Sequence, residues 1–383
     1  MQVITSESVF SGHPDKVCDQ ISDAILDAIL EQDKNARVAV EVAIKDDLVF
    51  VFGEVTTNAK VDYADIAKWK LKEIGYEENF SVLEKISKQS ADIALGVDST
   101  ESREQGAGDQ GIMFGYACNE TKELMPLPIM LANQISKVMD KLRKEKYAHI
   151  FGPDGKCQVS VAYEKGKPKK VQTIVVSAQT KSWIKRELYE DIIINEVLTE
   201  ILDYKAIKEA QILINPTGEF VIGGPYADSG LTGRKIIVDT YGGYAKHGGG
   251  AFSGKDVSKV DRSAAYYARY AAKAVVAAGL ATHCEIGLGY VIGIANPVSV
   301  HVNTFNTGII KDEKIQIIVK QIFDFRPQHI RKELELDNVK FQELAKYGHC
   351  GREDLNVCWE DVELKANELK EAYAKTKRTP QIL

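Results

Sequence analysis

The stretch that decides the fold reads DKVCDQISDAILDAILE at residues 15–31, RVAVEVAI at 37–44 and LVFVFGEVT at 48–56. In the first part, apolar residues recur at spacings of three and four, which predicts a helix with one buried side. Pro14 suits the first helical position and Asp15 suits the first turn. The second and third parts alternate between apolar and other residues, which predicts two strands joined by a short turn.

The order of elements that starts here recurs along the chain. A predicted helix over 62–74 and a short apolar piece over 80–86 complete a first round of helix, strand, strand, helix, strand. The later rounds comprise helix 128–144, strands 157–164 and 171–177, helix 183–202 and strand 211–214, and then helix 263–278, strands 284–294 and 298–304 and helix 312–323. A polar, helix-rich tail follows Pro327. Three similar units of mixed α and β structure are the simplest account.

The length supports that number of units. At roughly 150 residues per domain, 383 residues predict two or three domains. We place them at 1–98, 104–222 and 223–383.

The composition is that of a globular protein, with 44% hydrophobic and 27% charged residues. It excludes a disordered, collagen-like or coiled-coil chain as a whole. The formal net charge is −6, whereas a protein that binds nucleic acid in bulk is usually basic. An acidic protein that binds a polyanion must gather its positive charge locally.

Cysteine usage and hydropathy predict a cytoplasmic protein without a membrane partner, and the acidic net charge predicts no nucleic-acid partner. The six cysteines form no CxxC pair, as expected for reduced thiols. The first residues have neither the basic nor the apolar region of a secretory signal. No apolar run approaches the ~20 residues of a membrane span.

A glycine-rich segment at 241–256 is the densest candidate for a site, with six glycines in sixteen residues. We predict an apolar strand over 236–238 before it and a helix after it. Glycines let backbone N–H groups approach an anion closely. Residues 249–255 match the first seven positions of the phosphate-loop pattern, but Asp256 stands where that class needs a hydroxyl. We therefore reject a standard P-loop NTPase and keep phosphate binding, with a mobile glycine loop as the alternative.

Basic residues lie on both sides of this segment, and they supply the local positive charge that a polyanion site needs. They are Arg234 and Lys235 before it, Lys255 at its end, and Lys259 and Arg262 after it. The alternative is a solvated cationic face.

Asp261 permits two interpretations, metal binding and a capping box that starts at Ser258. His13 precedes a predicted helix, where free N–H groups suit phosphate oxygens. Asp15 could hold the hard cation that a triphosphate requires.

Two glutamates in the predicted strands are unusual, since glutamate is depleted in strands. Glu41 and Glu54 come from adjacent strands, so they could share one face as ion and substrate ligands; simple exposure to solvent is the alternative. The polar stretch 89–111 suggests a mobile lid.

With these motifs in hand, the chain resembles the S-adenosylmethionine synthetase (methionine adenosyltransferase) family. The resemblance runs in order from 5–8 through Gly-His-Pro-Asp-Lys at 12–16, 106–111, 214–218 and 223–271 to 347–349. Gly-His-Pro-Asp-Lys and Gly-Gly-Gly-Ala-Phe-Ser-Gly-Lys-Asp are specific to this family as a pair.

The resemblance implies a reaction and a fold. Methionine sulfur would attack C5′ of ATP and displace triphosphate, which is then cut to pyrophosphate and phosphate. It implies three similar α/β-sandwich domains around a pseudo-threefold axis. It also implies a homo-oligomer, commonly a dimer of dimers, with active sites between subunits.

Position by position, the resemblance implies roles for individual residues. The catalytic residues would be His13, Lys156, Arg234, Lys255 and Asp261. The contacts to ATP or polyphosphate would come from His13, Asp154, Lys156, Phe220, Asp228, Arg234, Lys235, Ala251 and Lys255. The methionine site would use Glu54, Gln89, Asp109, Asp228 and Lys259, with residues 89–99 as the lid. Asp15 would bind Mg²⁺, of which two are expected per site, and Glu41 would bind K⁺.

Two positions depart from the family pattern. Glu219 replaces an arginine that usually follows Asn-Pro-x-Gly, which puts a side-chain contact to ATP in doubt, and Ser11 replaces a glutamate. The other functions that we weigh are an ATP-dependent ligase or kinase that cuts at phosphorus, and a non-catalytic nucleotide-binding module.

Overall fold

A computed structural model describes residues 2–89 and 105–378 of the chain. The strands are β1 Gln2–Val9, β2 Arg37–Lys45, β3 Leu48–Thr56, β4 Ser81–Ser87, β5 Gly111–Cys118, β6 Phe151–Glu164, β7 Lys167–Thr180, β8 Gln211–Ile214, β9 Gly230–Leu231, β10 His283–Tyr290 and β11 Ser299–Asn303. The α-helices are α1 Pro14–Leu30, α2 Tyr63–Ile74, α3 Leu127–Leu142, α4 Arg186–Ile192, α5 Thr199–Ile201, α6 Tyr204–Glu209, α7 Val260–Ala277, α8 Asp312–Ile322, α9 Pro327–Glu333, α10 Phe341–Leu344 and α11 Glu363–Arg378. The fold is therefore mixed helix and sheet, as predicted.

The chain forms two compact units. Unit 1 comprises Met1–Ser87, Leu127–Tyr244 and Lys340–His349; unit 2 comprises Lys88–Pro126, Ala245–Val339 and Cys350–Leu383.

Unit 1 contains two four-stranded sheets with the same pattern of pairing. One has the order β9-β2-β3-β4 and the other β1-β6-β7-β8. In each, a hairpin of two antiparallel strands is flanked by a parallel strand on one side and an antiparallel strand on the other. The predicted round of helix, strand, strand, helix, strand is thus confirmed twice.

The buried core of unit 1 forms because both sheets turn one apolar face toward helices. α1 packs against β2 and α2, and α3 packs against β1 and β6. The second contact lies within a cluster that includes Ile135, Val159 and Ile174, each fully buried.

Unit 2 contains the three-stranded antiparallel sheet β5-β10-β11, on which α7 packs. It repeats the flanking strand and hairpin of unit 1, and α8 follows the hairpin as predicted.

Two sequence-based elements differ from the structure. Residues 236–238 form a turn and not a strand, since Asp239 N–H donates to Lys235 O (2.9 Å) and Gly242 N–H donates to Ile237 O (3.0 Å). The φ of Gly242 is +62°, so the chain bends here where a strand would stay extended. The helix predicted over 183–202 is divided, because the π-helix Ile193–Leu198 separates α4 from α5.

Within residues 2–89 and 105–378, no helix is long and apolar enough to cross a membrane.

Candidate active site

His13 caps the N-terminus of α1, as the sequence suggested. Its Nδ1 accepts a hydrogen bond from the Asp15 N–H at 3.3 Å. Because Nδ1 is an acceptor, the ring proton of neutral His13 resides on Nε2. The imidazole can therefore donate a hydrogen bond through Nε2 to an oxygen of a bound molecule.

Several contacts fix the loop before His13. Ser11 N–H donates to the Asp140 carboxylate (2.7 Å), and Gly12 N–H donates to Pro153 O (3.2 Å). Tyr76 O–H donates to Gly12 O. A Cβ on Gly12 would come 2.4 Å from Pro153 O, so this close approach requires glycine.

Burial and the charged side chains around His13 together set its protonation. Burial is the main reason that the pKa of His13 falls to about 4, and the positive charges of Lys235 and Lys156 lower it further. Asp15 and Asp228 act in the opposite direction. His13 is therefore neutral near pH 7, in a field dominated by cations.

Asp15 lies where the positive charge converges. Its buried carboxylate contacts Lys235 Nζ at 2.5 Å and Arg234 Nη1 at 3.5 Å, and it accepts from Leu231 N–H at 3.0 Å. We call His13, Asp15, Lys156, Asp228, Arg234 and Lys235 together the His13 cluster. The structure thus brings six of the predicted site residues together in unit 1.

Asp154 and Phe220, two further predicted ATP contacts, also lie in unit 1. Burial raises the pKa of Asp154 to about 6, and its carboxylate accepts from Gly224 N–H at 2.7 Å. The carbonyl of Phe220 accepts from Thr180 N–H at 2.8 Å. Their predicted contacts with ATP stay predictions.

A second group of predicted site residues lies in unit 2. Lys255 Nζ contacts the Asp261 carboxylate at 2.5 Å, and Lys259 contacts Asp256. Arg262 donates to Lys255 O at 3.1 Å. We call Lys255, Asp256, Lys259 and Asp261 the Lys255 cluster.

The capping-box interpretation of Asp261 is wrong. Lys259, not Ser258, is the residue before the first turn of α7, and no side chain caps that end. The Asp261 carboxylate turns instead toward Lys255, because an ion pair with a half-buried ammonium satisfies it better than a single N–H.

The glycine-rich segment is fixed by contacts with its neighbours. A Cβ on Gly250 would come 2.2 Å from the Asp261 carboxylate, and one on Gly248 would come 1.7 Å from Ile112 O. These positions exclude side chains, which argues against the mobile-loop alternative. Ala251, a predicted ATP contact, is half-buried in the same segment.

His247 lies in the glycine-rich segment, and no role was predicted for it from the sequence. Its Nδ1 accepts from Gly249 N–H at 2.8 Å, and burial lowers its pKa against the influence of Asp261. His13 and His247 thus share a pattern in which the ring accepts from the N–H two residues later. That spacing, beside glycine or proline, is the signal that could have identified His247.

The predicted methionine and potassium residues have more open positions. β2 and β3 pair Glu41 with Phe52 and Glu54 with Ala39, so both glutamates lie on one face of the sheet. Both are exposed, as the alternative interpretation expects, and their roles as ligands stay predictions. Asp109 is exposed on a loop in which a Cβ on Gly108 would come 2.7 Å from Ser258 O, next to Lys259. Gln89 is described, whereas residues 90–99 of the predicted lid lie outside the described residues.

Among residues 2–89 and 105–378, no group of three or more histidine, cysteine, aspartate or glutamate side chains could hold a metal ion. Asp15 is nevertheless a hard oxygen donor in a cationic surrounding. Mg²⁺ typically takes one or two carboxylates together with substrate phosphates and water. The residues present fit a magnesium ion that arrives with a polyphosphate.

Comparison with known proteins covers nearly the whole chain. Residues 1–95, 104–220 and 222–361 match the N-terminal, central and C-terminal domains of S-adenosylmethionine synthetase. The chain is 48% identical to the S-adenosylmethionine synthase of Prochlorococcus marinus (strain MIT 9515), over 97% of this chain and 98% of that protein. It is 50% identical to that of Trichormus variabilis (strain ATCC 29413 / PCC 7937), over 97% and 96%.

Proposed function

Because the chain belongs to the S-adenosylmethionine synthetase family, we propose a mechanism in which methionine sulfur attacks C5′ of ATP and displaces triphosphate. The triphosphate is then hydrolysed to pyrophosphate and phosphate. The protein is an enzyme, a methionine adenosyltransferase that makes S-adenosylmethionine.

The chemistry of this step explains why cations dominate the site. A thioether sulfur is a neutral nucleophile, so the attack needs no general base. The barrier lies in the charge that builds on the leaving triphosphate, and preorganised cations stabilise such charge best. The observation that carries the proposal is the convergence of Lys235, Arg234 and Lys156 around a neutral His13.

His13 would act on the oxygen that leaves C5′. Its Nε2–H can donate a hydrogen bond to that oxygen as negative charge develops there, and its low pKa keeps the ring neutral before ATP binds. Arg234 and Lys235 would leave Asp15 in part and bind the polyphosphate. Lys255, which is paired with Asp261, would turn to the triphosphate in the same way, and Asp261 would support the metal region.

The remaining assignments follow the family. Asp154, Phe220 and Ala251 would contact ATP, and Asp228 would hold the amino group of methionine. The other methionine residues would be Glu54, Gln89, Asp109 and Lys259.

Two kinds of cation belong to the proposal. Asp15 would hold Mg²⁺, which neutralises charge on the polyphosphate, with two ions expected per site. Glu41 would hold K⁺.

At the level of architecture, we propose three α/β-sandwich domains around a pseudo-threefold axis, at 1–98, 104–222 and 223–383. We also propose a cytoplasmic homo-oligomer, a dimer of dimers, with active sites between subunits.

Product analysis tests the proposed function. The protein is incubated with ATP, methionine, Mg²⁺ and K⁺, and the products are identified by mass spectrometry and phosphorus NMR. We expect S-adenosylmethionine, pyrophosphate and phosphate in equal amounts. ADP or methionyl-adenylate without a sulfonium product would show a ligase or kinase, and no turnover at all would indicate a nucleotide-binding module.

A further inference from the structure

A buried charged group lies beneath the His13 cluster, and the proposed mechanism gives it no role. Lys16 follows Asp15 on α1 and is 1% exposed. Its ammonium contacts the Asp19 carboxylate at 2.8 Å and also contacts Asp239. Both carboxylates are themselves at least 98% buried.

These carboxylates hold the two ends of the segment that carries Arg234 and Lys235. At the front end, Asp19 accepts a hydrogen bond from Gly233 N–H at 2.8 Å. At the back end, Asp239 N–H donates to Lys235 O at 2.9 Å, while its side chain holds Lys16. The segment 233–239 is therefore fastened to α1 on both sides of its two cationic side chains.

The charge of Lys16 is maintained in this surrounding. Burial alone would lower its pKa, but Asp19 and Asp239 outweigh burial and raise it. A buried ion group of this kind often contributes little net stability compared with apolar residues of similar size. Its advantage is a fixed geometry, which a site that needs correctly placed cations requires.

The contacts of Asp15 with Arg234 and Lys235 cannot hold these two cations in place throughout the reaction. A bound polyphosphate competes with Asp15 for the same two side chains, of which Arg234 is half exposed. The buried contacts of Lys16 are out of reach of the anion, so they persist when Arg234 and Lys235 turn to it.

We propose that Lys16, Asp19 and Asp239 are positioning residues, which hold segment 233–239 so that Arg234 and Lys235 meet the polyphosphate. They touch neither substrate nor product in this role. The inference rests on the proposed function, since it assumes that the two cations bind a polyphosphate.

The test uses the binding of magnesium tripolyphosphate to the full chain, measured by calorimetry. We compare Asp239→Asn and Asp19→Asn with the control Asp27→Asn. Asp27 is a buried aspartate of the same helix, but its carboxylate accepts from Phe341 N–H (2.9 Å) and Gln342 N–H (3.0 Å), far along the chain from segment 233–239.

We expect Asp239→Asn and Asp19→Asn to weaken tripolyphosphate binding about tenfold or more, and Asp27→Asn to bind as the wild type does. Asp239→Glu keeps the charge and should recover part of the loss. Thermal melting of all variants shows whether stability falls equally in Asp239→Asn and Asp27→Asn, which separates positioning from general destabilisation.

Each outcome has one meaning. If the wild type fails to bind tripolyphosphate, the proposed function is wrong. If the wild type binds it and Asp239→Asn binds it as Asp27→Asn does, the positioning role is overturned. If Asp239→Asn does not fold, the comparison of Asp19→Asn with Asp27→Asn replaces it. Asp19→Asn removes the carboxylate charge that holds Lys16, while its amide oxygen can still accept from Gly233 N–H and so support folding. Equal binding by these two variants overturns the positioning role.

Discussion

The protonation of His13 is the most quantitative consequence of the structure. Burial, Lys235 and Lys156 together place its pKa at about 4, against 6.5 for a free imidazole. This difference corresponds to about 3 kcal/mol that disfavours the charged ring in the folded protein. At pH 7 only about one His13 ring in a thousand carries the charge. Replacement of Lys235 by methionine removes the largest charge-based cause and leaves the burial.

We therefore expect the pKa of His13 to rise in Lys235→Met, yet to stay below 6.5 because the ring is still buried. Magnesium tripolyphosphate should raise the pKa in the wild type, since the anion offsets the charges of Lys235 and Lys156. The measurement is an NMR titration of the histidine rings, with His13 assigned by His13→Gln. Lys340→Met is the control, because its partner Glu31 follows the last residue of α1, about 25 Å along the helix from His13.

A His13 that titrates near 6.5 in the wild type would refute the electrostatic account, as would an unchanged pKa in Lys235→Met. The downward direction of the His13 pKa shift also determines how the stability of the folded protein depends on pH. Between about pH 4 and 6.5 the unfolded chain binds the proton and folded His13 does not, so this residue makes the folded state less stable as the pH falls through that window.

Two other substitutions give distinct results. Lys255→Met should lower kcat about a hundredfold, because a cation that faces triphosphate in the transition state contributes ~3 kcal/mol. The control Lys246→Met, which removes a lysine paired with Glu285 at 2.8 Å, should retain turnover. Equal rates for both variants would show that Lys255 pairs with Asp261 but does not act on the triphosphate. Glu360→Gln should lower the free energy of unfolding by about 3 kcal/mol in urea titrations, since it breaks a buried pair with Arg269 at 2.9 Å; a change below 1 kcal/mol would contradict this view.

The sequence was informative where structure is local. Helix α1 and the hairpin β2–β3 follow from periodicity, since the side chains that set the pattern lie within the same stretch. Strands β1, β5 and β9 were not predicted. Each is an edge strand paired with a hairpin that lies far away in the chain, and such pairing leaves no local signal.

In the candidate site too, the sequence reveals the features that depend on local residues and misses those that depend on distant partners. The glycine-rich segment and its flanking cations were found from composition alone. Asp19, Asp23 and Asp27 of α1 were not, although together with Asp15 they recur every four residues on its buried side. Charged residues on a buried helix face have partners in other elements, and those partners become visible only in the folded chain.

The central claim is that sulfur displaces an intact triphosphate, which is hydrolysed only afterwards. The most direct test is a single turnover with enzyme in excess over an ATP analogue that has an imido bridge between the β- and γ-phosphorus atoms, so that hydrolysis is blocked. Our account predicts one S-adenosylmethionine per analogue consumed, with the imidotriphosphate released intact. Absence of S-adenosylmethionine, or formation of methionyl-adenylate, would contradict it.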